Sequence, residues 1–327
     1  MDCFVKSENK INTMANYKNI IKQIAEYKQI PLSQSYLVCS EDSLLSELFV
    51  RYYIEDLTGK YNSADIIELP EKEKITVADI DYLTTAALVS PLELPYKFYI
   101  LKNSDSMQDA AANKLLKTLE EPPPSIKIFV LCSDERIVLP TIRSRCAIIN
   151  LSPLSDEAII QALELLQSSI PITQRPSTAS YTLAKEASLG SLSRAEQILK
   201  GEYNDVFDIC FEMLLYMKSS TQILSYSSKF AQKAIGERNA SQLGKLIWTT
   251  SFILHETLKY GLRLELSLKS RHYDISQVAQ NYSPDAIIRL KPIIERAQKR
   301  LASYGNVQSI IDEFLFSILE VRQKCNK

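Results

Sequence analysis

Glycine is scarce in this sequence. It occurs 7 times in 327 residues and first at Gly59. The chain before that point therefore cannot form a glycine-rich cradle whose backbone N–H groups wrap a nucleotide phosphate. Histidine is scarcer, with only His255 and His272 present. That excludes multi-histidine zinc or iron centres, and neither residue sits in a recognisable acid/base motif. Cysteines 3, 39, 132, 146, 210 and 325 never approach a C-x-x-C spacing, so neither a zinc ribbon nor a dithiol redox site is expected, only scattered free thiols. Long apolar runs are also missing. The segment MDCFVKSENKINTMANYK lacks the apolar core of about 7–15 residues that marks a secretory signal, and IFVLC at 128–132 is strand-sized. A cytoplasmic protein with no membrane partner is expected. Charge of one sign does not dominate either: 38 basic against 39 acidic side chains leave a net charge of −1. Such a chain does not coat nucleic acid by charge alone, so any DNA contact is local or shared with partners.

What is present is an alternation. Short β-rich runs at Tyr36–Cys39, Asp65–Leu69, Phe98–Leu101, Ile126–Cys132 and Cys146–Leu151 are separated by segments of helical periodicity, the pattern of a parallel α/β sheet. Between the third and fourth runs Met107, Ala111, Leu115 and Leu119 fall on one helical stripe, and Pro122-Pro123-Pro124 ends that helix. Past Leu151 the strand signal fades. Ser155 is an N-cap candidate with Asp156 and Glu157 in the first turn, followed by an apolar face of Ile159, Ile160, Leu163 and Leu166. No proline occurs between Ser177 and Ser283, and helical stripes run through Phe207, Phe211, Leu214 and Leu215, then Ile247, Phe252, Leu254 and Leu258. The last helix carries Val307, Ile310, Ile311, Phe314, Leu315, Ile318 and Leu319 on a broad face, fit for core packing or for an oligomer contact. The expected fold class is α/β followed by all-α.

The most informative stretch runs from Tyr96 to Leu151. It contains Ala112-Asn113-Lys114-Leu115-Leu116-Lys117-Thr118-Leu119-Glu120-Glu121-Pro122-Pro123 and then Leu139-Pro140-Thr141-Ile142-Arg143-Ser144-Arg145-Cys146. In both runs, the second carrying a Ser-Arg-Cys motif, the chain resembles the AAA+ subunits of bacterial DNA polymerase III clamp loaders, of the delta-prime and gamma/tau kind. Weaker likeness extends to Ser35–Val50, to Ile75–Leu92 and to Leu189-Gly190-Ser191-Leu192-Ser193-Arg194-Ala195. The resemblance implies a RecA-like parallel-sheet domain over 1–152, a small helical lid domain over 153–202 and an all-helical collar domain for oligomerisation over 203–327.

Departures from the family pattern favour the delta-prime type. An ATP-binding member carries G-x-x-x-x-G-K-[ST] after the first strand. Ungapped alignment puts Ser40 and Leu45 at the glycines, Ser46 at the lysine and Glu47 at the Mg-binding hydroxyl. Leucine blocks the close backbone approach, the cation is absent, and Glu41, Asp42 and Glu47 repel a polyphosphate. After the third strand the family's ATPases place an Asp-Glu pair, where this chain has Lys102-Asn103. The expectation is a chain with no cofactor or metal of its own that is not an enzyme by itself, ATP hydrolysis residing in partners. Arg145, within Ser144-Arg145-Cys146, is the exception. The resemblance implies that it projects into a neighbour's ATP site as a trans arginine finger. Otherwise Arg143 and Arg145 pair with Glu120, Glu121 or Asp134 at the surface. Arg194 matches a nucleotide-sensing arginine, Cys132-Ser133 a γ-phosphate sensor and Asp105 a position shared with non-hydrolysing subunits; structural roles suffice for the first two. Lys291, Arg296, Lys299 and Arg300 form a basic cluster that Glu295 interrupts, read as a solvated helix face. Implied partners are gamma/tau ATPase subunits, the delta subunit, the sliding clamp and primer-template DNA. The alternatives are an ATP-hydrolysing gamma/tau-like subunit and a non-replicative AAA+ adaptor.

Overall fold

Five short runs, SYLVC, IIEL, KFYIL, IKIFVLC and AIIN, pair as a single parallel sheet in the computed structural model, which describes residues 33–70, 74–169, 176–234, 239–302 and 306–325. The strands are β1 (Ser35–Cys39), β2 (Ile66–Leu69), β3 (Lys97–Leu101), β4 (Ile126–Cys132) and β5 (Ala147–Asn150), in spatial order β2-β3-β4-β1-β5. Every residue of β1, β3 and β4 is buried, whereas edge strands β2 and β5 are partly exposed. Parallel strands covered on both faces need continuous apolar runs, which is why these segments stand out in the sequence. Cys3 and the amino-terminal segment read for a signal lie outside the described residues, as do the side chains of Leu166 and Cys325.

Crossovers are made by α1 (Ser43–Thr58), α2 (Val77–Ala86), α3 (Asp109–Glu120) and the single turn α4 (Pro140–Arg143). On α3 the stripe Ala111, Leu115 and Leu119 is buried in the core under the sheet, with Met107 packed against it. The helix stops at Glu120, before the three prolines. Helices α5 (Asp156–Ser169), α6 (Thr178–Ala187), α7 (Leu192–Leu199), α8 (Asn204–Tyr216), α9 (Ser220–Ala234), α10 (Asn239–Gly261), α11 (His272–Asn281), α12 (Pro284–Ala302) and α13 (Val307–Cys325) follow. Ser155 Oγ accepts from Ala158 N at 3.3 Å and caps α5. The architecture is thus the expected parallel sheet succeeded by helices.

The described chain divides into two compact units. One holds the sheet, its crossover helices, α5 and the segment Ser188–Glu196; the other holds Pro176–Ala187 and the residues from Gln197 onward. In the second unit α10 packs against α8, α9, α11 and α12, and α13 packs against α9 and α12. Ile310, Ile311, Phe314, Leu315, Ile318 and Leu319 are all buried there, so the broad face of the last helix is core. Arg322, on the same helix, donates to the carbonyls of Leu214, Leu215 and Met217 and satisfies the end of α8. Among the described residues, no helix is long and apolar enough to cross a membrane.

Candidate functional site

The carboxyl ends of β1 and β4 lie side by side where the strand order reverses, the usual place for a ligand in an open parallel sheet. A cavity of about 480 Å³ opens there, lined by Cys39–Asp42, Ser133–Arg136, Asn150, Leu151, Pro153, Leu189–Ser191 and Arg194.

Its organising residue is Asp42. In extended backbone just before α1, it accepts from Leu45 N at 3.1 Å as the helix N-cap. The same carboxylate accepts from Leu192 N, from Ser193 N at 3.1 Å, from Ser193 Oγ, and from Ser191 Oγ at 3.2 Å. One anion therefore serves the amino ends of both α1 and α7, where unsatisfied N–H groups and the helix dipoles favour negative charge. Ser193 Oγ in turn accepts from Leu44 N at 3.2 Å. The turn that brings Ser191–Ser193 to this point requires Gly190. Its φ is +77°, and a Cβ there would lie 2.5 Å from the carbonyl oxygen of Leu154.

These bonds decide what the loop can hold. A phosphate at the start of α1 would need the N–H groups of Leu44 and Leu45, and Ser193 and Asp42 already engage them. Ser46 N and Oγ both turn back to the Asp42 carbonyl, and Ser46 is buried. Leu45 is in the core. As folded, residues 40–47 do not fit a nucleotide polyphosphate. Of the six residues aligned with nucleotide machinery, Ser40 lines the cavity, while Leu45, Ser46, Glu47, Lys102 and Asn103 do not. Glu47 instead holds the Lys102 ammonium at 2.9 Å, shared with Glu68 at 2.8 Å. Burial works to lower the Lys102 pKa, but the two carboxylates outweigh it and raise it. Asn103 adopts the left-handed conformation at φ 55° and opens the 3₁₀ turn Ser104–Ser106. Within that turn Asp105 accepts from Ser133 N at 2.9 and 3.0 Å, tying the end of β4 to the residues after β3.

On the far wall Arg136 grips Asp134 through Nε and Nη2, and these bonds hold the Asp134 carboxyl down to about 2. Arg194 donates from Nη1 to the Ser188 carbonyl at 2.8 Å. The double role of Asp42 escapes sequence reasoning. Its N-cap position before α1 is visible, but its partners at 191–193 are about 150 residues away.

Arg145 follows α4, where Pro140 fixes the first turn. Its Nη2 contacts Glu120 at 2.6 Å and its Nη1 donates to the Thr141 carbonyl at 2.9 Å. The Ser144 hydroxyl donates to the same carbonyl at 3.1 Å. The Arg145 side chain remains 32% exposed. Cys146 is half-buried, and burial pushes its thiol up to about 12.

Comparison with known proteins agrees with the resemblance carried by these motifs. Residues 57–155 match the family described as DNA polymerase III, delta subunit. The chain is 30% identical over 142 residues to the DNA polymerase III subunit gamma of Buchnera aphidicola subsp. Acyrthosiphon pisum (strain APS), covering 43% of this chain and 38% of that one. It is also 30% identical over 141 residues to the tau/gamma subunit of Haemophilus influenzae, covering 42% and 20%. A replication factor C small subunit of Methanococcus vannielii is 24% identical over 159 residues, covering 47% and 50%. The chain thus spans well under two thirds of these relatives. Among solved structures, a DNA polymerase III gamma subunit-related protein of Thermotoga maritima covers 95% of this chain and 99% of its own, at 18% identity and a TM-score of 0.44.

The family model and the gamma and tau relatives support a bacterial clamp-loader AAA+ subunit. They also correct one expectation. Gamma and tau are the ATP-hydrolysing alternative, and the match to them points against a chain that is not an enzyme. Residues 40–47 and 102–103 are one loop and one strand end. An ATPase site is assembled from more groups than those, including arginines supplied across subunits.

Proposed function

We propose that the chain takes part in ATP turnover as a delta-prime-like subunit of a DNA polymerase III clamp loader, placing Arg145 at the nucleotide of a neighbouring subunit. On this reading it works in the cytoplasm with gamma/tau ATPases and a delta subunit, and helps load the sliding clamp on primer-template DNA. On the same reading its parts are a sheet domain over 1–152, a small helical lid over 153–202 and a helical collar over 203–327. The observation that carries the reading is how lightly Arg145 is held. An ion pair this exposed is worth about 0.2–1 kcal/mol. A trans arginine that accelerates phosphoryl transfer by roughly 10³–10⁵ supplies about 4–7 kcal/mol at the transition state. The Glu120 pair is thus small beside what a guanidinium can supply in the transition state at a neighbour's phosphate. Guanidinium is the fitting group, because it is planar and charged at every physiological pH.

The test is reconstitution with gamma/tau ATPase and delta subunits. Arg145→Ala should leave assembly intact, lower DNA-stimulated ATP turnover in part because other sites still fire, and lower clamp loading about tenfold or more. Arg145→Lys should restore little, since a point charge lacks the planar fork. Unchanged loading with verified assembly would reduce Arg145 to the partner of Glu120.

The gamma and tau identity of the matched relatives favours a second reading, ATP hydrolysis in the chain's own cavity. It requires Asp42 to let go of Ser191–Ser193. Saturable stabilisation by Mg-ATP, about 2.7 kcal/mol at 100 times the dissociation constant, together with ATP hydrolysis by the isolated chain would establish it.

A further inference from the structure

Ninety-three residues separate Cys39 from Cys132 in the sequence, yet the sheet sets them directly opposite each other at the ends of adjacent parallel strands. Their sulfurs lie 3.3 Å apart, with the Cys132 thiol donating to Cys39 Sγ. Both side chains enter the same core cluster, so both point to one face of the sheet. Neighbouring strands run about 4.8 Å apart, inside the roughly 4.4–6.8 Å Cα separation that a disulfide spans. Closing the bond asks the sulfurs to approach by little more than about 1 Å, towards the 2.03–2.05 Å of an S–S bond.

Cys39 is among the residues that line the cavity, and the two cysteines are equally buried, each 5% exposed. The two thiols differ chemically. The hydrogen bond from Cys132 holds the Cys39 thiol below its ordinary pKa against the opposing effects of burial and of Glu135, Asp134 and Asp105. The same bond, with burial, pushes Cys132 up. The directions of the two shifts make Cys39 the readier nucleophile of the pair. A metal centre is not what the site suggests. Among the described residues no group of three or more His, Cys, Asp or Glu side chains is placed to hold an ion.

We propose that Cys39 and Cys132 are a redox-active dithiol, which hydrogen peroxide converts to an intramolecular disulfide. The Cys39 thiolate attacks one peroxide oxygen, the O–O bond breaks, and the departing oxygen takes up the proton shed by Cys39 and leaves as water. Cys39 is then a sulfenic acid. The Cys132 sulfur attacks the Cys39 sulfur, the S–O bond breaks, and the hydroxyl departs with the Cys132 proton as a second water. Two thiols lose two electrons and two protons, and one peroxide is reduced to two waters. The bond would fasten β1 to β4 immediately before Ser40 and Ser133, at the wall of the cavity.

The experiment treats the full chain with hydrogen peroxide, blocks remaining thiols with N-ethylmaleimide under denaturing conditions, and maps peptides by mass spectrometry without reduction. The expected product is a Cys39–Cys132 linked peptide about 2 Da lighter than the two free thiols, reversed by dithiothreitol. Cys210, fully buried with its thiol pushed up to about 12 by burial, should remain alkylatable and serves as the internal control. In Cys132→Ser the sulfenic acid on Cys39 should persist and be trapped by dimedone. In Cys39→Ser the oxidation of Cys132 should slow about tenfold or more. Oxidation of Cys39 no faster than that of Cys210 in the wild-type chain would overturn the proposal, as would bonds from Cys39 to Cys146, Cys3 or Cys325 in place of Cys132.

Discussion

A single charged side chain can be read for how far pH must move to disturb it. The Asp134 carboxyl is gripped by Arg136 and held to about 2. A depressed carboxyl contributes stability above its ordinary pKa, near 4, and that contribution is lost as pH falls towards 2. Carboxyl ¹³C shifts in a pH titration should therefore give Asp134 a midpoint near 2, moving up towards the ordinary value in Arg136→Gln, which keeps the backbone N–H bond of residue 136. A midpoint near 4 in the unmodified chain would show that the fork does not form in solution. Arg145 is held by Glu120 at 2.6 Å. Its side chain and the option of pairing with Glu120 were legible, because Glu120 closes the helix before three prolines and Arg145 follows the next strand. Cys39 and Cys132 were not. Spacing rules detect thiols close in sequence, and here the register of a parallel sheet makes the pair.

Secondary-structure elements were read with small errors that have local causes. The second strand is expected from Asp65 but begins at Ile66. The Asp65 carboxylate is bound instead by the N–H groups of Leu92, Glu93 and Leu94, a turn that prepares the entry to β3. β4 matches its expected bounds, since seven buried apolar-rich residues leave no alternative reading. What the sequence hid is that α1 and α7 share one cap. Asp42→Ala should remove both sets of bonds, at about 2–3 kcal/mol for a charge-assisted cap with several N–H partners. Amide hydrogen exchange should quicken at Leu44–Ser46 and at Leu192–Ala195 together. Acceleration confined to the start of α1 would mean that Asp42 does not serve α7 in solution.

Across the whole molecule the chain passes from the first unit to the second at α6, returns at Ser188–Glu196, and crosses again at Gln197. A chain ended after Lys200 would keep the sheet and lose what α6 packs on. In the full chain the Glu186 carboxylate accepts from Ser270 N at 3.0 Å, and α6 contacts the turn Lys269–Arg271. The truncated chain should retain the circular dichroism of a folded α/β unit while residues 178–187 lose exchange protection, and it should fail to co-elute with gamma/tau subunits. Normal co-elution would place assembly outside residues 201–327. The strand order has a consequence for biosynthesis as well. β1 is flanked only by β4 and β5, which are translated long after it. At about 5–20 residues per second, roughly 5–20 s pass between the synthesis of Cys39 and that of Asn150. Until β4 is made both edges of Ser35–Cys39, buried along its whole length in the finished sheet, are unpaired, and one edge stays so until β5 follows, so nascent-chain chaperones should engage it over this interval.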